Sequence, residues 1–378
     1  MRKHWLDNLR WVTVLLVLLY HVIYFYNNKG VFGGIGGFGE WPAVKQYQDV
    51  VMYILYPFFM PLLFILAGIS ARYALEKYPA KEWFKARTRK LLVPSTIGLF
   101  VFHWMVGYFN TVVAQNKGIF DGVPGPVKYG IMAISGTGPL WFIQLLWLLC
   151  LVLLLVRKLD RNDKFWTWCG RANIVWLILL GVLYWLSAQA LIRNPRPNSA
   201  DGLFNLYKPV FYLVSFLLGY FVFSHDEVQE RLGKAWIPLL CCAVGAGGVL
   251  IGTTFGQNNT APEYMSSPLN CLYGWLMCLA MMAWFKARFD RTSPFATYLA
   301  KSSFGLYIVH YLVVASLGYM MKTYTQLPPW AMYVILAVAV FTLSPLLYEA
   351  LRRIPFVRWA VLGESRKERS PRNRPASR

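Results

Sequence analysis

Acidic residues are scarce in this chain. Its 378 residues include 17 Asp and Glu against 38 Lys and Arg, for a formal net charge of +21. Only one carboxylate, Glu349, falls well inside an apolar run, and Arg352 and Arg353 beside it suggest a structural ion pair. Cysteine is also sparse. Cys150, Cys169, Cys241, Cys242, Cys271 and Cys278 show neither a metal-like C-x-x-C spacing nor a disulfide framework, so they are read as small buried apolar residues. The glycine-rich run Gly30 to Gly39 has no strand before it, which argues for a flexible connection and against a phosphate loop. No small-residue cleavage site follows the first apolar run, so that run is expected to be retained as a span. No internal repeat is visible.

Apolar sequence is abundant instead. The chain is 57% hydrophobic, 17% aromatic and only 15% charged, outside the range of a soluble domain of this size. Ten segments approach the ~20 residues needed to cross a bilayer. They lie near 11–28, 50–74, 91–113, 139–157, 173–192, 206–224, 236–254, 268–286, 303–321 and 329–351. The fold expected is an all-α integral membrane bundle over residues 1–363, followed by a basic, disordered tail over 364–378. Residues 114–138 exceed what a turn requires and suit a surface or re-entrant helix.

The basic residues set the orientation. With the N-terminus in the cytoplasm, the cytoplasmic segments carry 30 Lys and Arg and the outer segments 8, which together are all 38. That is a strong positive-inside bias, and it places both termini in the cytoplasm. It also explains the high net charge without nucleic acid as a partner. Membrane lipid is the partner implied, with the tail near anionic headgroups.

His21 is the residue that most needs explaining. It lies in the run WVTVLLVLLYHVIYFY, where an ionisable side chain is costly and so usually functional. Arg10, eleven residues earlier, falls on the same helix face at about 16 Å along the axis. Asp7, Arg10, Val14, Leu18 and His21 form one helical stripe. In its bland reading Asp7–Arg10 is a weak ion pair at a helix start. In its functional reading Arg10 meets a phosphate or carboxylate while Asp7 positions it. His103 and His310 sit at comparable depth, at ~18 and ~12 Å from the cytoplasmic helix ends against ~16 Å for His21. They can share one cavity with His21 or each make a separate interhelical hydrogen bond. His4 and His225 lie in loops and are read as solvated. No metal site is expected, because the three membrane histidines have no acidic neighbour in sequence.

Two further groups are candidates. The basic run Lys85, Arg87, Arg89 and Lys90 precedes the third segment. It is either ordinary membrane anchoring or a site for phosphates on a cytoplasmic donor. Trp141 and Phe142 begin the fourth segment on the outer side. They are either an interfacial aromatic belt or a face for sugar rings.

These residues together resemble the membrane acyltransferase 3 family, and within it the glucan biosynthesis protein C group, which is associated with succinylation of periplasmic glucans. The similarity rests on four ordered segments: LDNLRWVTVLLVLLYH, with an acidic residue, Arg10 and His21; FFMPLLFILAGISARYALEKYPAKEWFKARTRKLLVP; GPLWFIQLL; and FGLYIVHYL around His310, followed by LLYEALRRIPFVRWAV. They span residue 6 to about 362. Where the family often shows Arg-x-x-Arg, this chain has Arg87 and Lys90, and lysine keeps the charge but loses bidentate phosphate contact.

The resemblance implies acyl transfer in a bacterial inner membrane. No bound cofactor is implied, only acyl-CoA as co-substrate, either acetyl-CoA or succinyl-CoA. Arg10, Arg87 and Lys90 would bind the donor. His21, His310 and Asp7 would serve catalysis. Trp141 and Phe142 would face the acceptor, a glycan or glycolipid hydroxyl. Many family members carry a fused soluble domain; none is expected here, so the acceptor is expected to bind the membrane domain or to come from a partner protein. General-base and acyl-histidine mechanisms both fit. The rival class is a proton-coupled transporter of a glycan or small molecule.

Overall fold

The structure, a computed structural model, describes residues 3–28, 34–38, 46–114, 120–196 and 199–364. Part of the glycine-rich connection, and the tail beyond Glu364, lie outside the described residues. The described residues are helical and contain no strand. In chain order the helices are α1 His4–Phe25, α2 Val50–Leu55, α3 Phe59–Lys77, α4 Ala80–Arg87, α5 Trp104–Val113, α6 Gly125–Ser135, α7 Trp141–Leu159, α8 Lys164–Cys169 and α9 Ile174–Ala188. There follow α10 Ala200–Tyr207, α11 Pro209–Phe221, α12 Asp226–Lys234, α13 Trp236–Thr254, α14 Pro262–Met265, α15 Pro268–Arg288, α16 Pro294–Tyr324, α17 Pro329–Arg353 and α18 Pro355–Leu362.

Among the described residues eight helices are long and apolar enough to cross a membrane: His4–Phe25, Tyr47–Lys77, Gly138–Leu159, Ala200–Phe221, Trp236–Thr254, Pro268–Arg288, Pro294–Tyr324 and Pro329–Arg353. They coincide with eight of the ten segments expected. The other two, 91–113 and 173–192, hold the shorter apolar helices Leu99–Val113 and Ile174–Ala188. The first is shortened by Pro94, which lies in turns between two π-helical stretches, Thr88–Leu92 and Leu99–His103. Proline removes a backbone donor and breaks the regular ladder. The second is bounded by its caps. The Asn173 side chain accepts from the Trp176 backbone N–H at 3.0 Å, and after Ala188 the chain reaches Asn194 in a left-handed conformation before Pro195. The surface helix expected within 114–138 is α6, which packs on α5.

The helices start where capping predicts. Ser267 and Ser293 accept from the N–H groups of Asn270 (3.3 Å) and Ala296 (3.1 Å), each with proline at the next position. Close helix contact comes from glycine. A Cβ on Gly68 of α3 would strike the Phe216 carbonyl of α11, and one on Gly219 of α11 would strike the Ile65 carbonyl of α3. These reciprocal contacts let the two backbones touch. The break at Pro57 between α2 and α3 is satisfied by the Tyr184 hydroxyl, which donates to the Pro57 carbonyl at 3.1 Å.

The segments assigned to one side by charge do meet in space. At that end Asn8 donates to the carbonyls of Phe289 and Arg291, both at 2.7 Å. Lys3 reaches Tyr73 and Gln229 at 2.8 Å and also pairs with Asp226. Buried Arg72 clasps Asp163 at 2.7 and 3.2 Å and holds its carboxyl below the usual range. At the opposite end the Tyr26 hydroxyl donates to the Gly318 carbonyl at 2.9 Å. Glu349 pairs with Arg352 at 3.5 Å, as expected, and Arg352 also reaches Glu364 at 3.8 Å.

Two expectations need correction. His225 is not solvated. It is buried, stacked on Trp166 at 3.9 Å between ring centroids, and bonded through Nε2 to the Trp166 carbonyl at 2.8 Å. The segment before α12 tucks beneath Trp166 instead of looping into solvent. Four cysteines are buried, but Cys241 and Cys242 are exposed on α13, a helix with few buried positions that turns most of its surface outward.

Candidate functional site

α1 is packed against α16, α17, α15, α2 and α3, and this central position brings two of the three membrane histidines together. His310 of α16 is fully buried, and its Nε2 lies 3.2 Å from Nδ1 of His21. The ring centroids are 5.0 Å apart. His21 Nδ1 also lies 2.8 Å from the Val17 carbonyl, and His310 Nδ1 lies 2.8 Å from the Tyr307 carbonyl. A carbonyl only accepts, so each Nδ1 carries the proton. His310 Nε2 is then a lone pair that also accepts from His21 Nδ1–H. The remaining nitrogen, His21 Nε2, is basic, and among the described residues it has no hydrogen-bond partner. The His21 imidazole is only half-buried.

Tyrosines surround this pair. The His21 ring meets Tyr20, Tyr24 and Tyr311 edge-on, at 5.4, 5.8 and 5.3 Å. Tyr307 stands 5.9 Å from His310 and donates its hydroxyl to the Pro139 carbonyl, at the start of GPLWF. His103, the third histidine, is fully buried, and neither ring nitrogen has a partner among the described residues. It makes no hydrogen bond to the pair.

Arg10 stands at the other end of the helix 1 stripe. Its guanidinium reaches Asp7 at 3.1 Å and the Ser70 hydroxyl of α3 at 2.7 Å. These residues line a cavity of about 940 Å³. Lys3, Lys77, Arg171, Trp166 and His225 also line it. Val14 and Leu18, between Arg10 and His21 on the stripe, are buried. The cavity and the histidine pair are therefore separated by packed side chains of α1.

The other sequence candidates fall elsewhere. Arg87 lies over Trp83, 5.7 Å from its centroid, and does not line the cavity. Lys90 donates to the Leu362 carbonyl at 3.3 Å, sits 4.0 Å from Glu364 and lies over Phe304, so it faces the C-terminal helix α18. Phe142 is buried between Phe64 (4.8 Å) and Tyr307 (5.6 Å), one ring away from His310. Trp141 is half-buried against Tyr212 (5.5 Å) and Tyr207 (6.3 Å). Among the described residues no three His, Cys, Asp or Glu side chains gather closely enough to hold a metal ion.

Sequence reasoning missed Ser70, which holds Arg10 from another helix, and the tyrosine ring. Tyr307 and Tyr311 flank His310 in FGLYIVHYL at helical spacing, which is a usable signal. Ser70 carries none.

An acyltransferase domain matches residues 3–349. Proteins named "Glucans biosynthesis protein C" from Escherichia coli strain K12 and strain SE11 are each 22% identical over 391 aligned positions, covering 99% of this chain and 98% of the relative. No solved structure matches. With that domain matching nearly the whole of this chain, the chain belongs to the acyltransferase 3 family of multi-pass membrane acyltransferases.

Proposed function

We propose that the protein moves an acetyl or succinyl group from cytoplasmic acyl-CoA to a hydroxyl of a periplasmic or cell-surface glycan or glycolipid. The observation that carries this reading is the tautomer of His21. Its Nδ1 faces the Val17 carbonyl and His310 Nε2, which keeps the proton there, and among the described residues its basic Nε2 has no hydrogen-bond partner.

The donor's phosphates are assigned to the cavity at Arg10, where Lys3, Lys77 and Arg171 are further cations and Asp7, Glu76, Asp226 and Glu227 offset their charge, so the phosphates must compete with these carboxylates. Its thin pantetheine arm has the length to cover the roughly 16 Å to His21. Because Val14 and Leu18 are buried along that line, the arm enters by parting α1 from its neighbours. At the far end His21 Nε2 takes the proton of the acceptor hydroxyl. The oxygen attacks the thioester carbonyl, the carbon–sulfur bond breaks, and the thiolate leaves with the proton that His21 acquired. His310 Nε2, accepting from His21 Nδ1–H, stabilises the imidazolium while it exists. Asp7 fixes Arg10, and Lys90 and Arg87 act in anchoring the third segment. Trp141, with its half-open ring, is the acceptor-facing member of the aromatic pair. The name of the relatives supports a glucan as acceptor.

Mass spectrometry of envelope glycans tests this. Cells expressing the wild-type chain should add an acyl mass that cells expressing His21→Ala lack. An unchanged acyl load in the variant would refute the assignment.

A further inference from the structure

Lys208 is a buried cation beside the histidine site that the reaction above does not use. It joins α10 to α11, on the end of the bundle where Tyr56 and the start of α7 also lie. Only 6% of its surface is exposed. Its backbone is left-handed (φ 46°, ψ 51°), and it directly precedes Pro209. Glycine or asparagine takes that conformation at less cost. The chain nevertheless places a long cationic side chain there.

The Lys208 ammonium has three hydrogens to donate. One partner is present, the Tyr56 hydroxyl at 3.2 Å. Among the described residues no carboxylate lies within ion-pair distance and no other acceptor is within hydrogen-bond reach. The other buried cation among the described residues, Arg72, is balanced by Asp163 and Glu76. A buried cation without a counter-charge is unfavourable unless a ligand supplies one.

The surroundings say which ligand. Tyr56 stacks on Tyr20 (5.7 Å, 17° between planes), and the Tyr20 ring meets His21 at 5.4 Å. On its other side the preceding residue, Tyr207, lies 6.3 Å from Trp141 and bonds to Gln144. Two stacked tyrosine rings thus connect the Lys208 ammonium to His21, and its sequence neighbour Tyr207 packs on Trp141, at the end of α11 away from the Arg10 cavity. An anion reaching it arrives on the reacting substrates, not on the donor's nucleotide.

We propose that Lys208 binds a carboxylate carried by a substrate, either at the far end of the transferred acyl chain or on the acceptor sugar. This rests on the acyl-transfer reading and makes Lys208 a specificity determinant of it. One ammonium neutralises one carboxylate, and its unused hydrogens supply charge-assisted bonds.

The test is substrate selectivity in purified full-length protein. Acetyl-CoA and succinyl-CoA are compared with a neutral oligoglucoside as acceptor, and acetyl-CoA is then compared on neutral and carboxylate-bearing oligosaccharides. Lys208→Met should lower kcat/KM at least about tenfold for the carboxylate substrate of one arm and less than about twofold for its neutral counterpart. Loss in the first arm assigns the carboxylate to the acyl chain, and loss in the second assigns it to the acceptor. Lys208→Gly fits the left-handed backbone without strain, so it should fold and show the same loss. Equal loss on charged and neutral substrates, or none, overturns the proposal while leaving acyl transfer standing. Absence of any transfer by the wild-type protein instead overturns the reading on which it rests.

Discussion

Replacing His310 with leucine removes the acceptor that His21 Nδ1–H shares with Val17, while the Val17 carbonyl at 2.8 Å still holds the proton on Nδ1. The basic Nε2 is therefore retained, and the loss is confined to the bond that strengthens when His21 becomes cationic. A hydrogen bond to a charged group contributes about 1.5–3 kcal/mol. At 1.36 kcal/mol per tenfold, kcat should fall by roughly ten- to 150-fold. KM for the acyl donor should move little, because Arg10 and the cavity lie at the other end of the stripe. Removing the proposed base with His21→Ala should cost roughly 100- to 10,000-fold. Glutamine at 310 places an acceptor oxygen near the Nε2 position and should recover part of the loss. The assay is initial-rate thiol release from acyl-CoA in detergent, with thermal unfolding as the folding control. An unaffected leucine variant would refute the relay. A loss as deep as that of His21→Ala, with no recovery by glutamine, would make His310 the base.

Three further outcomes follow from the geometry. Arg10→Ala should raise the donor KM several-fold with a smaller effect on kcat, measured in the same assay, and an unchanged KM would remove Arg10 from donor binding. Gly68→Ala gains about 1 kcal/mol of helix propensity but drives a Cβ into the Phe216 carbonyl, an overpacking cost of about 1–3 kcal/mol, so the melting temperature in detergent should fall, and a rise would refute the close α3–α11 contact. His225 is held neutral chiefly by burial and also by the Arg72 guanidinium, against the opposing pull of the Trp166 carbonyl, so its pKa is lowered from 6.5. Its stabilising contribution is complete above about 6.5 and is lost as pH falls below that value, where the unfolded chain binds the proton first. His225→Phe keeps the stack on Trp166 and should flatten that part of the melting-temperature profile between pH 7 and 5.

What was legible in the sequence was whatever a single helix records. Apolar run length gave the spans, and it faltered where Pro94 and the caps of α9 shortened a run without changing its composition. The 100° advance per residue put Asp7, Arg10 and His21 on one face, and Arg10 does bond to Asp7. Helical periodicity is silent about which faces of different helices meet. It could place His21, His103 and His310 at similar depth, but only packing shows that His21 and His310 touch while His103 stands apart. The same blindness hid Ser70 behind Arg10. It also made the basic run look like one site, although Lys90 turns to α18 and Arg87 to Trp83.

Lys208 shows why charge needs three dimensions. In the sequence it is one of eight basic residues on the outer side, in a count where its sign matters and its surroundings do not. Charge counts assume solvated residues. Lys208 is buried, its backbone is left-handed, and among the described residues its ammonium bonds only to a tyrosine hydroxyl. Arg10 is the converse, a half-exposed cation already engaged by Asp7 and Ser70. An ammonium with hydrogens to spare responds to the charge of whatever enters, whereas a guanidinium held by a carboxylate contributes position and a smaller net field. Discrimination between substrates should therefore concentrate at Lys208 and donor affinity at Arg10. A double variant should show the two effects adding on a free-energy scale, because the residues share no partner and sit at opposite ends of the bundle.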